Sequence, residues 1–146
     1  MNEPSAHWTL RVRVRHYEMD ALGHVNNAVY LHYVEEAAIE HARQLGFDEA
    51  RWRELGGAWV VRRHEIDYRV AAVAGDELDV TTRIVALDRV SGTRRTTIVR
   101  VADGGLVVQA LTHWVWVGLD GRPRRLPAEV IAALPSPAPE AKPDLF

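Results

Sequence analysis

The sequence has no cysteine, only one lysine, and no unbroken apolar run long enough to cross a bilayer. The first absence excludes a disulfide scaffold, a thiol nucleophile and thiolate metal ligands. The last argues against a membrane-spanning helix. Met1 to His7 lacks a basic stretch followed by an apolar one, so no secretory leader is expected and the chain reads as cytoplasmic. A net charge of −2 is unlike that of a duplex binder, which carries a positive excess on one face, so nucleic acid is not an expected partner. Arginine supplies seventeen of the eighteen basic residues. Genome base composition explains that most simply, although a guanidinium also suits bidentate phosphate contacts. A Gly-x-Ser-x-Gly elbow, a glycine-rich phosphate loop and a His-Glu-x-x-His motif are all missing.

What is present suits one compact domain. With 146 residues and 47% hydrophobic content, the chain can bury a core without metals or disulfides. Leu10, Val12 and Val14 alternate with Arg11, Arg13 and Arg15, which predicts a strand with one polar face. From Asn27 to about Gly46, Tyr30, Tyr33 or Val34, Ala37, Ala38, His41 and Leu45 recur at helical spacing, with Gly46 at the capping position. A short helical turn is expected over Asp48 to Leu55. Strands are expected at Trp59 to Val70, Glu77 to Leu87, Thr93 to Ala102 and Leu106 to Leu119. The last three should be antiparallel neighbours, because a link such as Asp103-Gly104-Gly105 is too short for a crossover. Pro127 opens a short helix to Leu134, so residues 1–134 read as the domain and 135–146 as a proline-rich tail.

The densest chemistry lies between Tyr17 and Glu36, where Asp20, Gly23, His24, Asn26 and Asn27 precede the predicted helix. The Asn26-Asn27 pair can cap that helix, and a backbone N–H left unpaired there can donate to an anionic oxygen. Asp20 can serve as nucleophile or general base, or it can simply close an Asx turn. His24 can contact Asp20 or a substrate, or it can be structural. Glu35 and Glu36, two turns into the helix, are either a second carboxylate for the site or a solvated face. His32 and Glu36 share a helix face near His24 and His41, but they complete no zinc motif, so neither metal nor cofactor is expected.

Asp20 followed by Gly23-His24-Val25-Asn26-Asn27, then Tyr30, Tyr33 and Glu35, resembles the hotdog-fold acyl-CoA thioesterases. The likeness is to the 4-hydroxybenzoyl-CoA thioesterase-like group, with its YbgC and FadM types. Trp59-Val60-Val61-Arg62, Ile66-Asp67-Tyr68 and Gly75-Asp76-Glu77-Leu78 with Val80 resemble its second and third strands, and Arg122 to Pro127 resembles its tail. The likeness thus runs from about Leu10 to Leu134. One departure is that Glu35-Glu36-Ala37 is followed by Ala38, where the family often has Glu-x-Ala-Arg, which removes the salt bridge that arginine would make.

The resemblance implies an α+β hotdog fold, an antiparallel sheet wrapped around a long central helix. It implies hydrolysis of an acyl-CoA to free acid and CoA, with Asp20 as nucleophile or general base, the Asn27 backbone N–H as oxyanion donor, and His24 at the reacting centre. Asn26, Tyr30, Tyr33 and Arg62 become substrate contacts, with the acyl pocket between the helix and the strand Trp59 to Tyr68. Arg62, Arg63, Arg89, Arg94, Arg95, Arg122, Arg124 and Arg125 are candidates for the CoA phosphates, each with a solvated surface role as the alternative. Hotdog subunits pair edge to edge, so a homodimer or homotetramer is implied. Two other functions fit the same fold: a non-catalytic acyl-thioester-binding module, and a hotdog hydratase or dehydratase, which the Asn26-Asn27 block disfavours.

Overall fold

The computed structural model describes residues 5–137; residues 1–4 and 138–146, which include most of the expected tail, lie outside the described residues. Strand β1 (His7–Arg13) is followed by helices α1 (Val29–Gln44) and α2 (Glu49–Glu54). Strands β2 (Gly57–Tyr68), β3 (Glu77–Leu87), β4 (Ser91–Arg100) and β5 (Leu106–Gly118) come next, and α3 (Ala128–Ala133) is the last element among the described residues. The strands form one five-stranded sheet in the order β1-β3-β4-β5-β2. All pairings are antiparallel. The consecutive hairpins β3-β4-β5 agree with the short connections read from the sequence, and Gly104 in the last of them has a φ of +71°. β2 instead crosses to the far edge beside β5.

Helix α1 lies across one face of the sheet, against β1 and β3. Tyr30, Tyr33, Val34 and Ala37 share a buried cluster with Leu78, Val80, Ile98, Val108 and Ala110. Ala37 is wholly buried, and its small side chain lets the helix approach the strands closely. This is the hotdog architecture. Removing one such side chain, as in Leu78→Ala, should cost about 2–5 kcal/mol.

Two local departures from the expected pattern position the site. First, α1 begins at Val29 rather than at Asn27, because a turn intervenes. Asn26 Oδ1 accepts from the Ala28 N–H at 2.9 Å, and the Asn26 carbonyl accepts from the Val29 N–H at 2.9 Å. Second, the ladder between β2 and β5 shifts between Val61 and Arg63, leaving Arg62 as a bulge. Strict alternation would turn one half of β2 away from the helix. With the bulge, Trp59, Val61, His64, Ile66 and Tyr68 pair with Trp116, Trp114, Thr112, Ala110 and Val108, so all stand on one face.

Candidate active site

Between β1 and α1 the chain makes a single 3-10 turn, His16–Glu18, and then a tight loop. The Glu18 side chain is buried, which for a carboxylate requires several donors. Its Oε1 accepts from the Tyr33 hydroxyl at 2.9 Å and from the Arg15 N–H at 2.8 Å, and the Arg15 guanidinium lies 3.8 Å from Oε2. Burial and the adjacent carboxylate both push the Tyr33 phenol up, so it remains a donor. The loop is thereby tied to the second turn of α1.

Asp20 uses its two oxygens differently. Oδ1 accepts from the Leu22 N–H at 2.9 Å, closing an Asx turn, while Oδ2 lies 3.4 Å from His24 Nδ1. The backbone holds the pair together, since the Asp20 N–H donates to the His24 carbonyl at 2.8 Å and the Gly23 N–H donates to the Asp20 carbonyl at 3.1 Å. Gly23 takes a φ of +82°, which an L side chain would resist. Both side chains remain partly accessible, at 21% for Asp20 and 32% for His24.

Asn27 is exposed, and its N–H meets no acceptor within the chain among the described residues. Its carbonyl accepts from the Tyr68 hydroxyl at 3.0 Å, so the far end of β2 pins the start of the helix. Asn26, not Asn27, supplies the side-chain cap of this turn. The exposed loop therefore presents an Asp-His pair and a backbone N–H that no intrachain bond consumes.

Tyr30 and Tyr33, expected as substrate contacts, are 3% and 4% exposed, and their hydroxyls are engaged inside the chain. Tyr30 Oη accepts from the Ala72 N–H at 3.3 Å, and the Ala72 carbonyl in turn accepts from the Val25 N–H at 2.9 Å. In this chain the two tyrosines buttress the loop. Arg62 stands at the bulge, exposed, and makes no hydrogen bond or ion pair among the described residues. It is six residues from Tyr68, about 20 Å along the strand, so one subunit does not bring it to the Asp20 loop.

Of the other arginines proposed for CoA, Arg63 pairs with Glu65 at 2.5 Å and Arg124 with Asp120 at 3.4 Å. Arg94 points inward instead, bonding His41 and Thr82. His32 and Glu36 are both exposed on α1. Among the described residues, no three His, Asp or Glu side chains gather to hold a metal ion.

Sequence reasoning missed Glu18 and assigned no role to Tyr68. The two-residue spacing of Ile66 and Tyr68 is a signal that could have placed Tyr68 on the same face as Ile66. Nothing local marked Glu18 as buried, because its burial depends on Tyr33, fifteen residues away.

A sheet packed on one long helix, with the Asp20-His24 loop leading into the start of that helix, is the hotdog arrangement. The family model of the thioesterase-like superfamily matches residues 14–135, and the chain belongs to that superfamily. It is 34% identical over 110 residues to the long-chain acyl-CoA thioesterase FadM of Escherichia coli K12, covering 75% of this chain and 82% of FadM. It is 31% identical over 133 residues to the acyl-CoA thioester hydrolase YbgC of Escherichia coli O6:H1, covering 90% of this chain and 97% of YbgC. A solved thioesterase from Thermus thermophilus, complexed with coenzyme A and Zn, aligns with a TM-score of 0.75 and 34% identity, covering 87% of this chain and 91% of that one.

Proposed function

We propose that this protein hydrolyses acyl-CoA thioesters to a free acid and CoA in the cytoplasm, with Asp20 as nucleophile or general base and the Asn27 N–H as oxyanion donor. The observation that carries this reading is the uncommitted Asn27 N–H beside a loop that holds Asp20 against His24. The relatives FadM and YbgC, acyl-CoA thioesterases by name, support the substrate class. As the thioester carbonyl becomes tetrahedral, its oxygen gains charge, and a fixed N–H binds that state better than the ground state. If Asp20 attacks, the CoA thiolate leaves and a mixed anhydride remains for water to cleave. If it acts as base, it takes a proton from the attacking water, and the proton ends on the departing thiolate. His24 orients the Asp20 carboxylate in either route, Asn26 holds the turn, and Arg62 is reserved for the CoA of a neighbouring subunit's site.

That assignment needs a homodimer or homotetramer. Support comes from β2, which among the described residues pairs only with β5 and leaves Val60 and Val61 exposed at 42% and 38% on a twelve-residue edge strand. A strict monomer in light scattering with full activity would overturn the shared site. The function itself is tested by thiol release from short, medium, long-chain and aromatic acyl-CoAs. Hydrolysis of at least one supports the reading, binding without turnover favours the binding module, and hydration of an unsaturated acyl-CoA favours the lyase.

A further inference from the structure

The other half of α1 borders a second feature. Between α1, α2 and the strands lies a cavity of about 330 Å³, within the size range of small-molecule sites. Its wall is largely apolar and aromatic, with Phe47, Trp52, Trp59, Ile84, Leu87 and Trp114. Arg94 of β4 lines it too. One nitrogen of that guanidinium donates to His41 Nδ1 at 2.9 Å and to Thr82 Oγ1 at 3.2 Å, and His41 Nε2 bonds the Ser5 carbonyl at 2.9 Å. His41 is therefore neutral, an acceptor on one side and a donor on the other.

Nothing described neutralises Arg94. No carboxylate pairs with it among the described residues, and its remaining N–H groups have no acceptor there. The acids that border the cavity are otherwise placed: Glu49 pairs with Arg43 at 2.7 Å, Asp48 caps α2 through the Arg51 N–H, and Glu35 is exposed. Burial pushes the guanidinium down to about 10, which still leaves it charged at neutral pH. Trp114, on the same wall, has a buried indole N–H with no acceptor among the described residues. Arg94 is half-buried and lines the cavity, so its remaining N–H groups are open to a ligand, and a planar carboxylate is the group that matches their fork.

We propose that this cavity binds an amphipathic carboxylate, with its anionic end on Arg94 and its apolar body against the tryptophan wall. His41, bonded to Arg94, is twelve residues beyond the start of α1 at Val29, about 18 Å along the helix axis. The site is thus separate from the Asp20 loop. Two sources supply this chemistry: a free carboxylic acid of the kind thioester hydrolysis releases, or the far carboxylate of a long ω-carboxyacyl substrate. Only the link to turnover rests on the thioesterase reading.

Three of the five tryptophans line the cavity, so emission reports occupancy directly. Decanoate should change it saturably, decanol should bind about tenfold or more weakly, and Arg94→Met should weaken decanoate by a similar factor while leaving decanol little changed. Equal affinity for decanoate and decanol, no saturable change, or full decanoate affinity in Arg94→Met overturns the proposal. Should Arg94→Met not fold, Arg94→Lys keeps the charge but loses the fork, and an affinity between those of the acid and the alcohol supports the site. Kinetics separate the sources. A free-acid site makes decanoate lower kcat on a short acyl-CoA, whereas a substrate-end site makes hexadecanedioyl-CoA a better substrate than palmitoyl-CoA until Arg94 is replaced. If no thioester is hydrolysed, the thioesterase reading fails and the emission titration still decides the cavity.

Discussion

The two ends of α1 satisfy their polar groups in opposite ways. At the amino end, backbone bonds fold an exposed loop so tightly that Asp20, His24 and the Asn27 N–H are fixed while remaining open to a ligand. At the carboxyl end, the chain buries apolar and aromatic surface and leaves the inward-pointing Arg94 without an acid partner among the described residues. Solvent at the first end screens charge and is at hand for the hydrolysis proposed there. Its partial exclusion at the second strengthens any charge pair formed there. One end suits chemistry and the other suits recognition.

The hardest test of that contrast is Asp20→Asn. It should lower kcat by about 10²–10⁴. Circular dichroism and decanoate-dependent tryptophan emission should stay as in the wild type, because the cavity lies at the other end of the helix. A variant with unchanged kcat removes Asp20 from the mechanism.

Asn27→Pro follows in size. It deletes an N–H that makes no intrachain bond among the described residues, so folding loses little. Losing an oxyanion donor should still depress kcat by about 10²–10³ with a smaller effect on KM. Asn27→Ala keeps the N–H and most of the activity. Equal harm from both changes, measured at matched thermal stability, would move the oxyanion role elsewhere.

Tyr33→Phe sharpens the comparison through stability. It leaves the buried Glu18 carboxylate short of a donor, a loss of about 1.5–3 kcal/mol in urea unfolding. The effect should appear at the loop end as reduced turnover, with decanoate binding unchanged.

The smallest effect concerns pH at the other end. Burial and the neighbouring Arg94 hold His41 below its usual 6.5, so the unfolded chain binds a proton that the folded chain refuses. Stability should therefore fall as pH drops below about 6.5, and the loss continues until the folded His41 itself titrates. His64 is also lowered by burial and acts in the same direction. A melting series from pH 7.5 to 5 should be flatter for His41→Gln than for the wild type, with the His64 contribution left in both.

Much of this molecule was legible in the chain itself. Alternation and turn residues located the strands to within a few residues, because side chains must follow a two-residue period wherever one face is buried. The spacing of Tyr30, Tyr33, Val34, Ala37, Ala38 and His41 defined the buried face of α1. The block Asp20 to Asn27 marked the loop, since an acid, a glycine and two amides that close together favour tight turns and a helix cap. Asn26 and Asn27 were harder to separate, because both can cap a helix and only the actual start at Val29 shows which one does.

Other facts required the fold. That β2 sits at the edge beside β5, that the Arg62 bulge brings Trp59 and Tyr68 to one face, and that Tyr68 reaches Asn27 across forty-one residues depend on strand order and register. Arg94 and Arg95 are adjacent in the sequence and read alike there. The pleat sends Arg94 inward to His41 and Thr82, while Arg95 pairs across β4 and β5 with Leu111 on the opposite face. Local sequence determined which segments became strand, helix and loop, since those follow from nearest neighbours and period. Only tertiary structure decided which polar groups were sealed from water and which stayed open, because that depends on partners distant in the chain.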